Sequence, residues 1–291
     1  AHNKLIMLEN LRFYIGEKRC DEAFARRLLD HHNFFVQDAF GSFHNHDTSI
    51  SLLPKEFMPN HRAFGILTQK EIGQLNMLRQ HPKLPFVVIA GGNKLTSKIP
   101  TLQHLSRQDS AHRPSHFLIG GALALPFIAA QGHATGASLI DENDIKAATL
   151  FFELAQQQGV SIILPRDIRG TTKSNPKSVY IEPIDAISRS TIVIDIGPHT
   201  IELFPRYIQD ACTVFANGTM GIYTVPEYAQ GTEAIMQAIA KSAAYSVVGG
   251  GDAVAAAYQA DVAREIGFLS TGGGSTLSYL ASADPYAMPG I

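Results

Sequence analysis

The segment SVVGGGDAVAAA, residues 246–257, is the clearest indication of the fold class. Residues 245–248 have the apolar pattern of a buried strand, and residues 253–257 favour a helix with Asp252 in its first turn. Three glycines between them would weaken a strand or a helix interior, so they indicate a joint that needs positive φ or a close backbone approach. This arrangement directs backbone N–H groups at one point where phosphate can bind, although a purely steric turn has the same pattern.

The same order of strand, glycines and helix occurs at three more places. Predicted strands at 86–90, 117–119 and 268–271 each run into two or three glycines. This alternation predicts an α/β fold with a Rossmann-like parallel sheet, in which all four glycine junctions lie along one edge within residues 64–280. Convergent backbone donors at such an edge favour a nucleotide-phosphate site over four unrelated turns.

The remaining elements give the domain organisation. Further strands are predicted at 162–164, 191–195 and 211–215, further helices at 141–158, 226–243 and 252–264, and a solvated loop at 169–177. Near the N-terminus we predict buried strands at 5–8 and 34–36, with a helix over 21–30 between them, and then a helix over 68–80.

These elements predict a partial N-terminal α/β domain at 1–63, an interdomain helix at 64–80 and a nucleotide-binding domain at 81–291, whose last residues could return to the N-terminal domain. Two strands form too small a sheet to stand alone, so the N-terminal part looks incomplete. Its unpaired edge is a candidate surface for a protein partner.

Composition excludes several classes of partner. The 291 residues include 24 basic and 26 acidic side chains, so a net charge of −2 predicts neither nucleic-acid nor membrane binding. Cys20 and Cys212 are far apart in the sequence, which favours a reduced, cytoplasmic context. Several histidines near Asp47 are of the residue type that binds metals, but their spacing does not suit a metal site, so a metal there is disfavoured. These histidines are His31, His32, His44 and His46.

Seven motifs in order carry a resemblance to a known family. They are MLENLRF (7–13), VQDAFGSFH (36–44), GGNKLTSKI (91–99), DIGPHTIELF (195–204), NGTMG (217–221), GGGDAVAAA (249–257) and STGGGSTL (270–277). The set resembles phosphoglycerate kinase over nearly the whole chain. The resemblance implies two Rossmann-like domains, a basic N-terminal patch for 3-phosphoglycerate, and a C-terminal site for Mg²⁺ with ADP or ATP.

The resemblance also implies residue roles. Catalytic roles fall on Lys94, Lys98, Gly273 and Gly274, acceptor contacts on Arg12 and His44, and the association with Mg²⁺ on Asp252. Nucleotide contacts are implied at Gly91, Gly92, Gly120, Gly121, Asn217, Gly218, Gly249, Gly250, Gly251, Asp252 and Gly272. Phosphoryl transfer needs mainly positioning and charge neutralisation, which glycine amides, lysines and Mg²⁺ supply. Without the resemblance, Lys94 and Lys98 would be interpreted as ordinary exposed lysines.

The sequence also departs from the family pattern. Positions where the family has another residue are Asn45, Asp47, Ser97, Val193, Thr219, Thr224 and Ala253. In addition, the sequence begins about a quarter of the way into the family pattern, after an arginine that stabilises the transferring phosphoryl group. Three hypotheses follow: a truncated or divergent member with weak or no activity, an active enzyme whose N-terminal segment lies outside this chain, and a non-enzymatic interaction protein on the same fold.

Overall fold

The N-terminal part of the chain holds short helices and a small sheet. The computed structural model describes residues 5–30 and 32–291, so His31 lies outside the described residues. Helices α1 and α2 span Ile15–Lys18 and Glu22–Leu29, and strands β1 (Phe35–Gln37) and β2 (Arg62–Phe64) pair in parallel. The predicted helix over 21–30 is confirmed, because the Asp21 carboxylate accepts the Phe24 N–H at 2.8 Å and starts α2.

One prediction for this region is wrong, and another is correct for the strand but wrong for its burial. Residues 5–8 pair with no strand in the described part of the chain, and their side chains are exposed. A strand is present near 34–36, but Phe34 and Val36 are exposed, because in the described structure β1 has β2 as its one partner and a two-stranded sheet covers little surface. Apolar character alone indicated burial at both places, and the described fold does not supply it.

Helix α3 (Ile66–Gln80) leads into the large sheet and confirms the helix predicted over 68–80. Its first turn is held by Asp38, whose carboxylate accepts the Thr68 N–H at 2.8 Å. A side chain at Gly65 would meet that carboxylate, since a Cβ there would lie 2.2 Å from its Cγ atom. Glycine therefore permits the acid to cap the helix.

The elements after α3 alternate as predicted for a parallel α/β sheet. In chain order they are β3 (Phe86–Ala90), α4 (Ile99–Ser106), β4 (His116–Ile119), α5 (Ala124–Ala130), α6 (Glu142–Gln158), β5 (Ser161–Ile163), β6 (Asp167–Thr172), β7 (Asn175–Pro183), β8 (Thr191–Ile196), α7 (Pro198–Gln209), β9 (Thr213–Asn217), α8 (Gln230–Lys241), β10 (Tyr245–Gly249), α9 (Gly251–Gln259), β11 (Phe268–Ser270) and α10 (Gly274–Ala281).

Six of these strands form one fully parallel sheet, in the order β11–β10–β9–β3–β4–β5. Strand β3 is buried on both faces. Phe86 and Val88 belong to one hydrophobic core, and Val87 and Ile89 belong to a second core on the opposite face. Helices cover both faces, which is why the strand sequences are continuously apolar. The predicted fold class is confirmed.

The predicted loop at 169–177 is wrong. Strands β6 and β7 form an antiparallel hairpin that turns at Lys173 and Ser174, and β8 pairs with the other edge of β6. The predicted strand at 191–195 exists, but it belongs to this separate three-stranded sheet. Polar residues such as Thr171 and Thr172 suit a hairpin because β-branched side chains favour strands even where the sequence is hydrophilic.

No helix among residues 5–30 and 32–291 is long and apolar enough to cross a membrane.

Candidate nucleotide crevice

The carboxyl ends of five neighbouring strands align at one edge of the large sheet. The residue register runs Ile119, Ala90, Asn217, Gly249 and Ser270 across the ends of β4, β3, β9, β10 and β11. Glycines follow directly after β4, β3 and β10, and the glycines at 272–274 follow β11 after one residue, Thr271; β9 is also followed by a glycine. The prediction that the four glycine junctions share one edge of a parallel sheet is therefore confirmed.

A cavity of about 400 Å³ opens at this edge. Gly92, Gly121 and Asp252, all predicted as nucleotide contacts, line it. Asn93 and Tyr223 line it as well, and the motif analysis did not single them out. Tyr223 lies two residues after the NGTMG motif, and this position in the sequence is the one feature that could have indicated its place in the cavity wall.

Close backbone approach explains the glycines at the middle of the edge. A Cβ at Gly91 would lie 2.3 Å from the Thr219 carbonyl oxygen, and a Cβ at Gly218, where φ is +89°, would lie 2.4 Å from the Gly91 oxygen. Gly92 N–H donates to the Thr219 oxygen at 2.7 Å. The two loops after β3 and β9 are thus in direct contact, and side chains at these positions would separate them. Gly120 is similarly enclosed by Met220.

Lys98 is held at the edge by Asn217. Its Nζ donates to Asn217 Oδ1, and Asn217 Nδ2 donates to the Gly249 carbonyl at 2.9 Å. Burial lowers the pKa of Lys98 to about 8, and the charge of Asp252 partly opposes this shift. A partly desolvated ammonium group is a strong partner for a phosphate, because few water contacts must be lost on binding.

Lys94 has a different environment. Its side chain is exposed, and its carbonyl accepts a hydrogen bond from Ser97 Oγ at 3.0 Å.

Asp252 lies in the first turn of α9, whose start has open space around it. A Cβ at Gly251 would meet no atom within 4 Å, and Gly250 adopts φ +96° at the helix N-cap. The Tyr223 hydroxyl donates to the Asp252 carboxylate at 3.4 Å. No cluster of three or more metal-ligating side chains occurs in the described ranges. One exposed carboxylate fits Mg²⁺ that is also bound by nucleotide phosphates and water, but not an all-protein metal cage.

The second glycine triple contacts the N-terminal part of the chain. Gly273 adopts φ +52°, and a Cβ at Gly274 would lie 3.0 Å from His44 Nε2. His44 Nδ1 and Ser275 Oγ are hydrogen-bonded at 2.7 Å. Packing against Phe40 similarly requires Gly272. The fold therefore brings His44, the predicted acceptor contact, to the N-terminus of α10.

Arg12, the other predicted acceptor contact, is engaged by an acid. Its guanidinium Nη2 lies 2.9 Å from Asp47 Oδ2, and Lys18 Nζ lies 2.9 Å from Asp47 Oδ1. No motif or periodicity in the sequence indicates Lys18, which is 29 residues from Asp47. The two predicted acceptor contacts therefore each have a partner within the protein. The Arg12 guanidinium binds the Asp47 carboxylate, and the His44 ring binds the Ser275 hydroxyl.

Comparison with known proteins identifies the family. The family model for phosphoglycerate kinase matches residues 1–283. The chain is 38% identical over 292 residues to the phosphoglycerate kinase of Desulfosudis oleivorans, covering 100% of this chain and 71% of that protein. The chain belongs to the phosphoglycerate kinase family.

Other members of the phosphoglycerate kinase family match this chain over a similar share of their length. The Moorella thermoacetica phosphoglycerate kinase is 36% identical over 289 residues, which is 99% of this chain and 71% of that protein. The structure of phosphoglycerate kinase from Coxiella burnetii superposes with a TM-score of 0.82 at 30% identity, covering 97% of this chain and 70% of that chain. The Pyrococcus horikoshii phosphoglycerate kinase structure gives 0.84 at 26% identity over the same shares.

Several departures from the phosphoglycerate kinase pattern lie at the crevice itself. Val193, Thr219 and Thr224 all line the cavity. Val193 N–H donates to Ser138 Oγ at 3.0 Å, so its backbone position is fixed. Val193 places a branched side chain in this wall where the family pattern has a glycine, and Thr224 stands where the family pattern has a longer glutamate. Ala253, by contrast, is fully buried inside α9.

Asp195 of the family motif DIGPHTIELF is a buried support for the crevice. It accepts the N–H groups of Gly231 (2.6 Å) and Ile196 (2.8 Å). A Cβ at Gly221, which lines the cavity, would lie 2.5 Å from its carboxyl carbon. Burial raises the pKa of Asp195 to about 7, although these hydrogen bonds and the nearby Arg169 favour the charged form.

We therefore predict that Asp195 makes stability depend on pH. Its folded pKa of about 7 lies above the ordinary value of 3.8, so its contribution is present at low pH and is lost as pH rises through 7. Asp195→Asn should reduce the loss of unfolding free energy between about pH 6 and pH 8 by about 1 kcal/mol. Urea unfolding at both pH values measures this. Equal pH dependence in both proteins would contradict the prediction.

Proposed function

We propose that this chain binds Mg-ADP or Mg-ATP at the crevice, and that the polypeptide alone has little or no phosphoglycerate kinase turnover. The observation that carries the nucleotide proposal is the arrangement of Lys98 and Asp252 beside the glycine edge. A desolvated lysine, a carboxylate and the N-terminus of α9 lie together at the ends of parallel strands. This combination supports binding of a phosphate chain with its metal ion.

Each group has a distinct role in the proposal. Lys98, positioned by Asn217, neutralises phosphate charge. The N-terminus of α9 offers backbone N–H donors. Asp252 holds Mg²⁺, which when bound neutralises phosphate oxygens and orients them. By resemblance, Lys94, Gly273 and Gly274 complete the group around the transferring phosphoryl, with Arg12 and His44 on the side of 3-phosphoglycerate.

The expectation of weak or absent turnover rests on residues at both proposed binding sites, the nucleotide crevice and the acceptor face. At the nucleotide end, Val193 and Thr224 change the shape and polarity of the cavity wall. At the acceptor end, Asp47 neutralises Arg12, and Asn45 supplies no positive charge. Catalysis of phosphoryl transfer depends on charge neutralisation, so losses at both ends reduce the rate more than they reduce nucleotide binding.

Calorimetric titration with ADP, in the presence and absence of Mg²⁺, tests the nucleotide site. Asp252→Ala should weaken Mg-ADP binding by about tenfold and should leave ADP binding without the metal nearly unchanged, because the carboxylate acts through Mg²⁺. Glu265→Ala removes an exposed acid that does not line the crevice, and should have no effect. Unchanged Mg-ADP affinity in both Asp252→Ala and Lys98→Ala would show that the crevice is not the nucleotide site.

A further inference from the structure

A buried carboxylate neutralises two cations on the face that carries His44. The Asp47 side chain is 6% exposed, whereas the side chains of Arg12 and Lys18 are 47% and 53% exposed. Asp47 Oδ2 accepts hydrogen bonds from Arg12 Nε (3.0 Å) and Nη2 (2.9 Å). Lys18 Nζ donates to both carboxylate oxygens at 2.9 and 3.0 Å. One acid thus binds the charged ends of both basic residues.

The backbone fixes this acid in place. Asp47 precedes the helical turn Thr48–Leu52, and its carbonyl accepts the N–H groups of Ile50 (3.0 Å) and Ser51 (2.9 Å). Burial alone would raise the pKa of Asp47, but the hydrogen bonds from Lys18 and Arg12 outweigh burial and lower it. The carboxylate is therefore charged at neutral pH and remains beside its two partners.

His44 shares this electrostatic environment. Burial and the charge of Arg12 lower the pKa of His44, and the charge of Asp47 opposes them. An anion that approached Arg12 and His44 would meet the fixed negative charge of Asp47. Like charges at close range in a partly buried site disfavour binding strongly.

We propose that Asp47 is an internal counter-anion for Arg12 and Lys18. Its carboxylate occupies the hydrogen-bond donors of these two residues that a small phosphate-bearing acceptor would need. This face then rejects such anions while the nucleotide crevice stays open. The inference rests on the proposed function, because it treats this face as the acceptor side. Asp47 is thus a specificity-determining residue that acts by exclusion, and its removal should create an anion site where the wild-type chain has an ion-paired cluster.

The test is calorimetric titration of 3-phosphoglycerate and of inorganic phosphate into Asp47→Asn at low salt. The substitution keeps the shape of the side chain and removes its charge, so the affinity for 3-phosphoglycerate should rise by about tenfold or more relative to wild type. Arg12→Gln or Lys18→Gln in the Asp47→Asn background should cancel the gain. Glu22→Gln is the matched control: it changes net charge equally by removing an exposed partner of Arg26, and it should leave the affinity at the wild-type level.

Two results would overturn the inference. One is a folded Asp47→Asn variant, checked by circular dichroism, that shows no gain over wild type. The other is tight binding of 3-phosphoglycerate by the wild-type chain that Arg12→Gln weakens tenfold, and this second measurement decides the matter even if Asp47→Asn does not fold. Mg-ADP affinity should be equal in wild type and Asp47→Asn, since Asp47 does not line the crevice. Failure of the nucleotide proposal is therefore measured separately.

Discussion

The purified 291-residue polypeptide is expected to show no measurable phosphoglycerate kinase turnover in a coupled assay with Mg-ATP and 3-phosphoglycerate. A competent site must place cations on the acceptor phosphate, on the transferring group and on the nucleotide. In the described part of the chain, no arginine lines the crevice, and Arg12 is bound to Asp47. An arginine that stabilises the transition state of phosphoryl transfer accelerates the reaction by about 10³-fold or more.

The assay needs a blank for traces of the host's own enzyme. A Lys98→Ala preparation, purified in the same way, serves this purpose because it lacks the cation that Asn217 positions at the crevice. Equal, low rates from the two preparations would support the prediction. Robust turnover by the wild-type chain that Lys98→Ala abolishes would overturn the interpretation of a weakened enzyme. Folding of both proteins should be checked by thermal melting, since an unfolded sample would also be inactive.

The nucleotide edge could be predicted from sequence because its signals are local. Strand β3 occupies 86–90 as predicted, since an apolar run of five residues ends directly at glycines. Parallel pairing then places the four glycine junctions together by geometry alone, without knowledge of any side-chain contact. The hairpin at 167–183 does not follow from the sequence in this way, because residues 169–177 around its turn are polar and such a run indicates a loop.

Contacts between distant segments could not be predicted in this way. Asp47 lies 35 residues from Arg12, and no periodicity or motif links the two. The contact of His44 with Ser275 spans 231 residues. Burial at 5–8 and 34–36 does not follow from the sequence either, because an apolar sequence indicates a tendency to be buried, whereas actual burial depends on which neighbours the fold provides. Departures from the family pattern were visible in the sequence, but only the structure shows that Asp47 forms ion pairs.

Lys98→Met is expected to weaken Mg-ADP binding by about 30-fold or more, since hydrogen bonds from a charged donor to phosphate are among the strongest in proteins. Wild-type binding should also depend on pH. The pKa of Lys98 is lowered to about 8 by burial, so the lysine is mostly charged at about pH 7 and mostly neutral at about pH 9. The affinity for Mg-ADP should therefore fall by about tenfold over this range. Isothermal calorimetry at both pH values measures the change.

The Lys98→Arg variant distinguishes the effect of the charge at position 98 from other effects of pH on Mg-ADP binding. An arginine keeps its proton throughout this range, so binding by Lys98→Arg should not fall between pH 7 and pH 9. Lys241→Met, which removes an exposed lysine in the last turn of α8, should behave like the wild type. Near pH 8, wild-type binding should also take up protons from the buffer, because the phosphate charge favours the protonated lysine. A pH profile that is the same in wild type, Lys98→Arg and Lys98→Met would show that Lys98 does not contact the phosphates.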